Sequence, residues 1–150
     1  MNTFRSNPRL AGEQLGAELA ETGRIWRGLL DRRLQALGLS QSRWLILLHL
    51  SKHPLGLKQV ELAMRIGIRP ASLSLQLERL VQQGWVHRQT TQGDRRSNTL
   101  RLTKQAQGLS QQIMQTAATV REELLTGLAT EDIQCCKRVL AHIRQRAQSL

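Results

Sequence analysis

The feature that most constrains the fold is a change of hydrophobic period at Gly84. Before this residue, apolar side chains recur every three or four positions, which is typical of amphipathic helices. After it, residues 85–90 and 97–102 are short segments of strand-forming composition, with the polar loop 91–96 between them. The pattern predicts a group of helices that pack against one β-hairpin with a charged tip.

Glycine and proline divide the helical part of the chain into segments. Gly38, Gly67 and Gly84 are the expected helix ends, and Pro70 suits the first turn of a helix. The predicted helices span residues 10–37, 41–52, 58–66 and 70–83 before the hairpin, and 104–126 and 131–149 after it. Two helices joined by a tight turn and followed by a hairpin predict a winged helix-turn-helix over about residues 41–103. The fold class is therefore mainly α with a small β-hairpin wing.

The two ends of the chain carry helices that are long for a protein of 150 residues. One winged helix cannot bury all of their apolar stripes, so we expect a second chain to cover the rest. We therefore expect a single domain whose end helices, residues 10–37 and 104–149, form a homodimer.

The charge of the chain indicates a polyanionic partner. There are 22 basic and 11 acidic residues, and 18 of the basic ones are arginine, which suits contacts to phosphate and base edges. Residues 57–104 contain nine basic and three acidic side chains, more than half of the net charge of +11. Only four aromatic residues are present, which argues against binding of single strands by base stacking. The longest apolar run, Trp44–Leu48, is too short for a membrane span.

Nothing in the sequence indicates an enzyme, a cofactor or a metal site. The four histidines are scattered, and no Gly-rich phosphate loop, HExxH or GxSxG motif occurs. Cys135 and Cys136 are adjacent, which fits neither a disulfide framework nor a zinc site, and residues 1–10 have no apolar signal segment. We expect a cytoplasmic protein, in which these cysteines either sense oxidants or pack as inert side chains.

The most specific part of the sequence is a series of short motifs between residues 61 and 103. They are Leu62-Ala63, Leu77-Glu78-Arg79-Leu80, Gly84-Trp85-Val86-His87-Arg88, Asp94-Arg95-Arg96 and Leu100-Arg101-Leu102-Thr103. The series resembles the MarR family of bacterial transcriptional regulators, and Arg24-Ile25-Trp26-Arg27 with Trp44 is similar to its SlyA branch. The resemblance covers about residues 15–145. It implies a dimer formed by the first, fifth and sixth helices, with the fourth helix in the major groove of a pseudo-palindromic site and the wing in the minor groove.

Residue chemistry and this resemblance together predict the DNA-binding residues. On the wing, Arg96 is expected to enter the minor groove and Arg95 to contact phosphate, with their roles interchangeable, while Asp94 orients Arg96. Contacts to phosphate and base edges are expected from Arg69, Ser72, Ser74, Gln76 and Arg79 on the fourth helix, and from Lys58 and Gln59 at the start of the third. Each serine could equally be an ordinary helix-surface residue.

Leu75 departs from the SlyA branch, which tends to carry a basic residue near this position. An outward leucine can contact a thymine methyl group, but it cannot read guanine. The operator of that branch is therefore not transferred to this chain.

Many members of the family bind aromatic carboxylates or phenolic compounds, which weakens DNA binding. A carboxylate needs a cation beside an apolar wall, so the candidate ligand residues are Arg24, Trp44 and Arg65. Core packing is the alternative role for Trp44, and phosphate contact is the alternative for Arg65. The main competing function is a non-specific architectural DNA- or RNA-binding protein, which charge alone does not distinguish from a regulator.

Overall fold

The computed structural model describes residues 12–91 and 94–150, and it describes residues 91 and 94–97 by their backbone alone. The elements before the hairpin are α1 (Leu15–Leu34), a 3₁₀ turn (Gln35–Leu37), α2 (Gln41–Ser51), β1 (Leu57–Lys58), α3 (Gln59–Ile66) and α4 (Pro70–Gln82). The hairpin consists of β2 (Val86–Thr91) and β3 (Asp94–Leu102), and it is followed by a 3₁₀ turn (Lys104–Ala106), α5 (Gln107–Leu125) and α6 (Thr130–Gln148). The predicted class, mainly helical with a small hairpin wing, is confirmed.

The chain forms two compact units, Met1–Ala118 and Thr119–Leu150. The described part of the first unit contains α1 to α4, the hairpin and the beginning of α5. The second contains the end of α5 and all of α6, in which Val120 of α5 is fully buried while α6 has no buried residue.

The core of the first unit is formed by one face of α4 and nearly the whole circumference of α2. Leu73, Leu77 and Leu80 of α4 are all completely buried. In α2, the completely buried residues include Trp44 and Ile46. Each buried side chain of this size stabilises the fold by roughly 1.5–3 kcal/mol. These leucines fix which face of α4 points inward and which face is left for solvent.

The sheet has three antiparallel strands in the order β1-β3-β2, one strand more than the sequence predicts. Leu57 pairs with Leu100 and Lys58 with Thr99, so the third helix begins at Gln59 instead of the predicted residue 58. Gly56 precedes this strand with a φ of +90°, a conformation that disfavours any residue with a side chain. A strand of two residues has no recognisable period, which is why sequence reasoning assigned Lys58 to the helix.

The wing also differs from its prediction, because β3 begins at Asp94 and not at residue 97. Thr91 pairs with Asp94 after an irregularity in register between Thr90 and Thr91. The segment Asp94–Arg96, expected in the loop, is therefore strand, and residues 92–93 lie outside the described part. Ladder hydrogen bonds form between backbone groups and do not require apolar side chains, so a polar segment can extend a strand.

Thr103 joins the hairpin to the helix that follows it. Its backbone N–H donates to the Trp85 carbonyl at 3.0 Å, and its hydroxyl donates to the Gly84 carbonyl at 2.5 Å. The same hydroxyl oxygen accepts from the backbone N–H of Ala106 at 3.3 Å, capping the turn that leads into α5. Thr103 thus closes the base of the wing, between the start of β2 and the end of β3, and caps the turn before α5.

Candidate nucleic-acid interface

The outer face of α4 is the central surface of the candidate interface. Since Leu73, Leu77 and Leu80 turn the opposite face into the core, Ser72, Leu75 and Arg79 are exposed. Arg69 occupies the exposed N-cap position, and Pro70 is the first helical residue, as predicted. Leu75 is 50% exposed and lies outward, in agreement with the sequence reasoning.

Two of the predicted α4 residues are only partly accessible. Ser74 is half-buried, and its hydroxyl donates to the Pro70 carbonyl at 3.1 Å. Gln76 is also half-buried, and its Oε1 atom is enclosed without a hydrogen-bond partner. The accessible predicted residues of α4 and its cap are therefore Arg69, Ser72 and Arg79.

The start of α3 lies against α4 and the wing. The Gln59 amide nitrogen donates to Ser74 Oγ at 2.7 Å, and its amide oxygen accepts from Arg88 Nη1 at 3.0 Å. Lys58 is exposed, and its backbone N–H donates to the Glu61 carboxylate at 3.1 Å. Sequence reasoning missed Arg88, although the buried Val86 two residues earlier would have placed Arg88 on the same face of the strand.

The wing supplies further arginines to this part of the molecule. Arg101 Nε donates to the Leu55 carbonyl at 3.0 Å, which ties β3 to the loop before β1. Asp94, Arg95 and Arg96 follow in the backbone of β3. Their side chains lie outside the described part of the chain, so their individual roles in DNA contact stay predictions.

The three residues predicted for an anionic ligand are not joined by a described hydrogen bond or ion pair. Arg24 is exposed and lies 4.0 Å from the Glu21 carboxylate. Trp44 is completely buried, and its indole Nε1–H donates to Asp31 Oδ1 at 2.9 Å. Arg65 is exposed and close enough to His49 to help lower its pKa. Trp44 is thus in the core, the alternative role considered from the sequence.

The imidazole of His49, near the end of α2, has a displaced pKa. Burial lowers the pKa of this half-buried imidazole below its ordinary value, and the charges of Lys52, Arg65 and His53 lower it further. His53 Nδ1 lies 2.7 Å from the His49 carbonyl oxygen. Because a carbonyl can only accept, Nδ1 of His53 carries the proton.

A cavity of about 440 Å³ lies in the first unit, between the end of α2, the end of β3 and the beginning of α5. Its apolar wall includes Leu102 and Met114, and its polar lining includes Ser51, His53 and Ser110. The Ser51 hydroxyl donates to the Leu48 carbonyl at 2.7 Å, and the Ser110 hydroxyl donates to the Gln107 carbonyl at 2.9 Å. Their oxygen atoms therefore remain available as acceptors. Arg24, Trp44 and Arg65 are not part of the lining.

The described residues were compared with the requirements of a metal site, a disulfide and a membrane span. Within residues 12–91 and 94–150, no three His, Cys, Asp or Glu side chains come together as metal ligands. Cys135 and Cys136 are free thiols on α6, and both are exposed. The sequence pattern had predicted that Cys136 faces the apolar stripe of this helix. No helix among those described has the length and apolar character needed to cross a bilayer.

Comparison with known proteins gives the same architecture. The model of the MarR family matches residues 37–97. The crystal structure of the transcriptional regulator PA3341 is similar at 41% identity, covering 91% of this chain and 99% of that one, with a TM-score of 0.85. The regulator SlyA matches at 18% identity over 90% of this chain and 94% of its own, with a TM-score of 0.75. A MarR-family regulator from Listeria monocytogenes, solved with a 26mer DNA, matches at 15% identity over 87% and 86% of the two chains, with a TM-score of 0.75.

Proposed function

The chain belongs to the MarR family of transcriptional regulators, and we propose that it binds duplex DNA as a homodimer at a pseudo-palindromic operator in the cytoplasm. The observation that carries the proposal is the exposed face of α4, which presents Arg69, Ser72 and Arg79 while three buried leucines hold the opposite face. The Listeria regulator, which has the same fold and was solved with a 26mer DNA, supports the proposal that this chain binds DNA. The motif Arg24–Arg27 with Trp44 supports a place in the SlyA branch.

The proposed dimer uses the helices at the two ends of the chain. Large apolar side chains are exposed on α1, where Ile25 is 58% accessible, and in the second unit, where Leu128 and Val139 are about half accessible. A second copy would remove such side chains from water, which stabilises association by roughly 25 cal/mol per Å² of apolar surface. We propose that residues 10–37 and 104–149 are the dimerisation helices of one MarR-type domain. Sedimentation equilibrium should give twice the chain mass of 17.0 kDa.

The direct test of DNA binding is selection of duplexes from a random pool, followed by fluorescence anisotropy with the selected site. The affinity should fall steeply as salt is raised, since arginines that contact phosphates displace counterions. Arg96→Ala should weaken binding by about 1–3 kcal/mol if Arg96 enters the groove. Lys52→Ala at the exposed end of α2 removes one positive charge outside both the dimerisation helices and the predicted DNA contacts, and it should leave the affinity unchanged. Equal effects of the two substitutions would contradict the proposed role of the wing.

The competing function is non-specific coating of DNA or RNA. A regulator should prefer its selected duplex over random duplex by about 10³-fold or more at physiological salt. A non-specific protein should show the salt dependence without that preference. Measurement of both duplexes and of a matched RNA therefore distinguishes the two functions.

We infer that a small molecule bound in the 440 Å³ cavity modulates DNA binding. The predicted ligand cations Arg24 and Arg65 do not line this cavity, and its lining contains no arginine or lysine. A lining with no arginine or lysine to pair with a carboxylate, and with acceptor oxygens at Ser51 and Ser110, favours a neutral aromatic ligand with hydrogen-bond donors. Salicylamide should therefore weaken DNA binding at lower concentration than salicylate. Met114→Trp, which places a larger side chain in the lining, should reduce the effect. Greater potency of salicylate would contradict this ligand class.

A further inference from the structure

A chain of three hydrogen bonds joins the wing to α4 through the start of α3. Arg88 Nη1 donates to Gln59 Oε1 at 3.0 Å, Gln59 Nε2 donates to Ser74 Oγ at 2.7 Å, and Ser74 Oγ donates to the Pro70 carbonyl at 3.1 Å. We propose that Arg88 contacts a DNA phosphate and that Gln59 and Ser74 are positioning residues that aim its guanidinium. The inference rests on the proposed DNA binding and adds Arg88 to the interface.

The direction of every bond in this chain is fixed by chemistry. A guanidinium has only donors, so the amide oxygen of Gln59 must face Arg88. The amide nitrogen then has to face Ser74, whose oxygen accepts from it. The serine hydroxyl hydrogen is used on a backbone carbonyl, which can only accept. Loss of one member therefore leaves the others without a partner of the correct type.

The sheet determines where Arg88 begins. Arg88 and Leu57 both pair with Leu100, and cross-strand partners project from the same face of a sheet. Leu57 and Leu100 are buried beneath the helices, so Arg88 leaves the strand on the helix-facing side. Its side chain nevertheless remains exposed and reaches Gln59, which lies 29 positions earlier in the sequence.

The exposure and charge of Arg88 indicate a partner beyond the chain. Only one of its five N–H donors is used by Gln59, and no carboxylate among the side chains described forms an ion pair with Arg88. Water competes for the donors and acceptors of surface hydrogen bonds, so these three bonds around an exposed cation contribute little to folding stability. Restricting the rotamers of a guanidinium before binding does have value for contact with a phosphate.

A double-mutant cycle on the selected duplex tests the inference. Arg88→Gln should weaken binding about tenfold and reduce the slope of log affinity against log salt by about one for each protomer. Ser74→Ala should weaken binding about threefold to tenfold in the native background, because an aimed contact is lost. The same substitution should have no effect in the Arg88→Gln background. Gln59→Ala should have the same effects as Ser74→Ala in both backgrounds. Ser74→Thr keeps the hydroxyl, so it should bind the duplex as tightly as the unmutated protein.

The controls separate this inference from the proposed function and from misfolding. Thermal unfolding should show that all variants are folded at the assay temperature. Additive effects of Ser74→Ala and Arg88→Gln would overturn the relay, because Ser74 would then contact DNA independently. An unchanged affinity and salt slope for Arg88→Gln would overturn the phosphate contact while leaving DNA binding intact. Failure of the unmutated protein to bind any duplex would instead overturn the proposed function together with the inference.

Discussion

Substitution of Gly56 by alanine should destabilise the protein more than the same substitution at Gly67. Both glycines have positive φ, +90° at Gly56 and +75° at Gly67, so both alanines would be strained. The two positions differ in their surroundings. A Cβ atom at Gly67 would meet nothing within 4 Å, whereas one at Gly56 would overlap the Thr99 methyl group and lie 2.8 Å from the Leu100 carbonyl oxygen.

The magnitude follows from these surroundings. At Gly67 the cost is the left-handed conformation alone, about 1–2 kcal/mol for a residue with a Cβ atom. At Gly56 the Thr99 methyl group could rotate away, but the Leu100 carbonyl belongs to the backbone that pairs β1 with β3. Displacing that pairing adds an overpacking cost of about 1–3 kcal/mol, for a total near 2–5 kcal/mol.

Urea denaturation followed by circular dichroism measures the free energy of unfolding of both variants. Affinity for the selected duplex, measured where both variants remain folded, should fall more for Gly56→Ala, since β1 connects the wing to the start of α3. If Gly56→Ala costs no more than Gly67→Ala, the close approach of Gly56 to β3 does not constrain the fold.

Two further predictions concern the interior. Trp44→Phe leaves Asp31 without the indole donor and opens a space in the core, so it should lower the free energy of unfolding by about 2–4 kcal/mol. Trp26→Phe, at a half-buried position, should lower it by less than about 1.5 kcal/mol. Similar losses would contradict the stabilising role of the Trp44–Asp31 hydrogen bond. The pKa of His49 is lowered in the fold, so the unfolded chain binds more protons, and the free energy of unfolding should fall as the pH drops below 6.5. Urea denaturation across this range should show a weaker decline for His49→Gln than for the unmutated protein. The same pH profile for both would contradict the lowered pKa of His49.

Sequence reasoning located the helices well because their signals are local. The spacing of Leu73, Leu77 and Leu80 set the buried face of α4, and Pro70 and Gly84 marked its limits. The same spacing placed Ser72, Leu75 and Arg79 outward, as the structure has them. Strand β1 was missed because its two residues are defined by pairing with a segment more than 40 positions away.

The polar contacts of the interface could not be obtained in the same way. The sequence predicts Gln59 and Ser74 as separate DNA contacts, yet their side chains are hydrogen-bonded to each other across 15 positions of the chain. Arg88 was missed because its role depends on a residue from another element. Periodicity reports which face of an element is buried, but hydrogen bonds between exposed side chains depend on the final placement of three elements.

The position of Thr103 has a mechanical consequence. Its three hydrogen bonds connect the base of the wing, at Gly84 and Trp85, directly to the turn that ends at Ala106. Leu102 and Ser110, on either side of this junction, both border the cavity. If a ligand in the cavity moves Leu102 and Ser110 apart, these hydrogen bonds should transmit the displacement to the base of the wing.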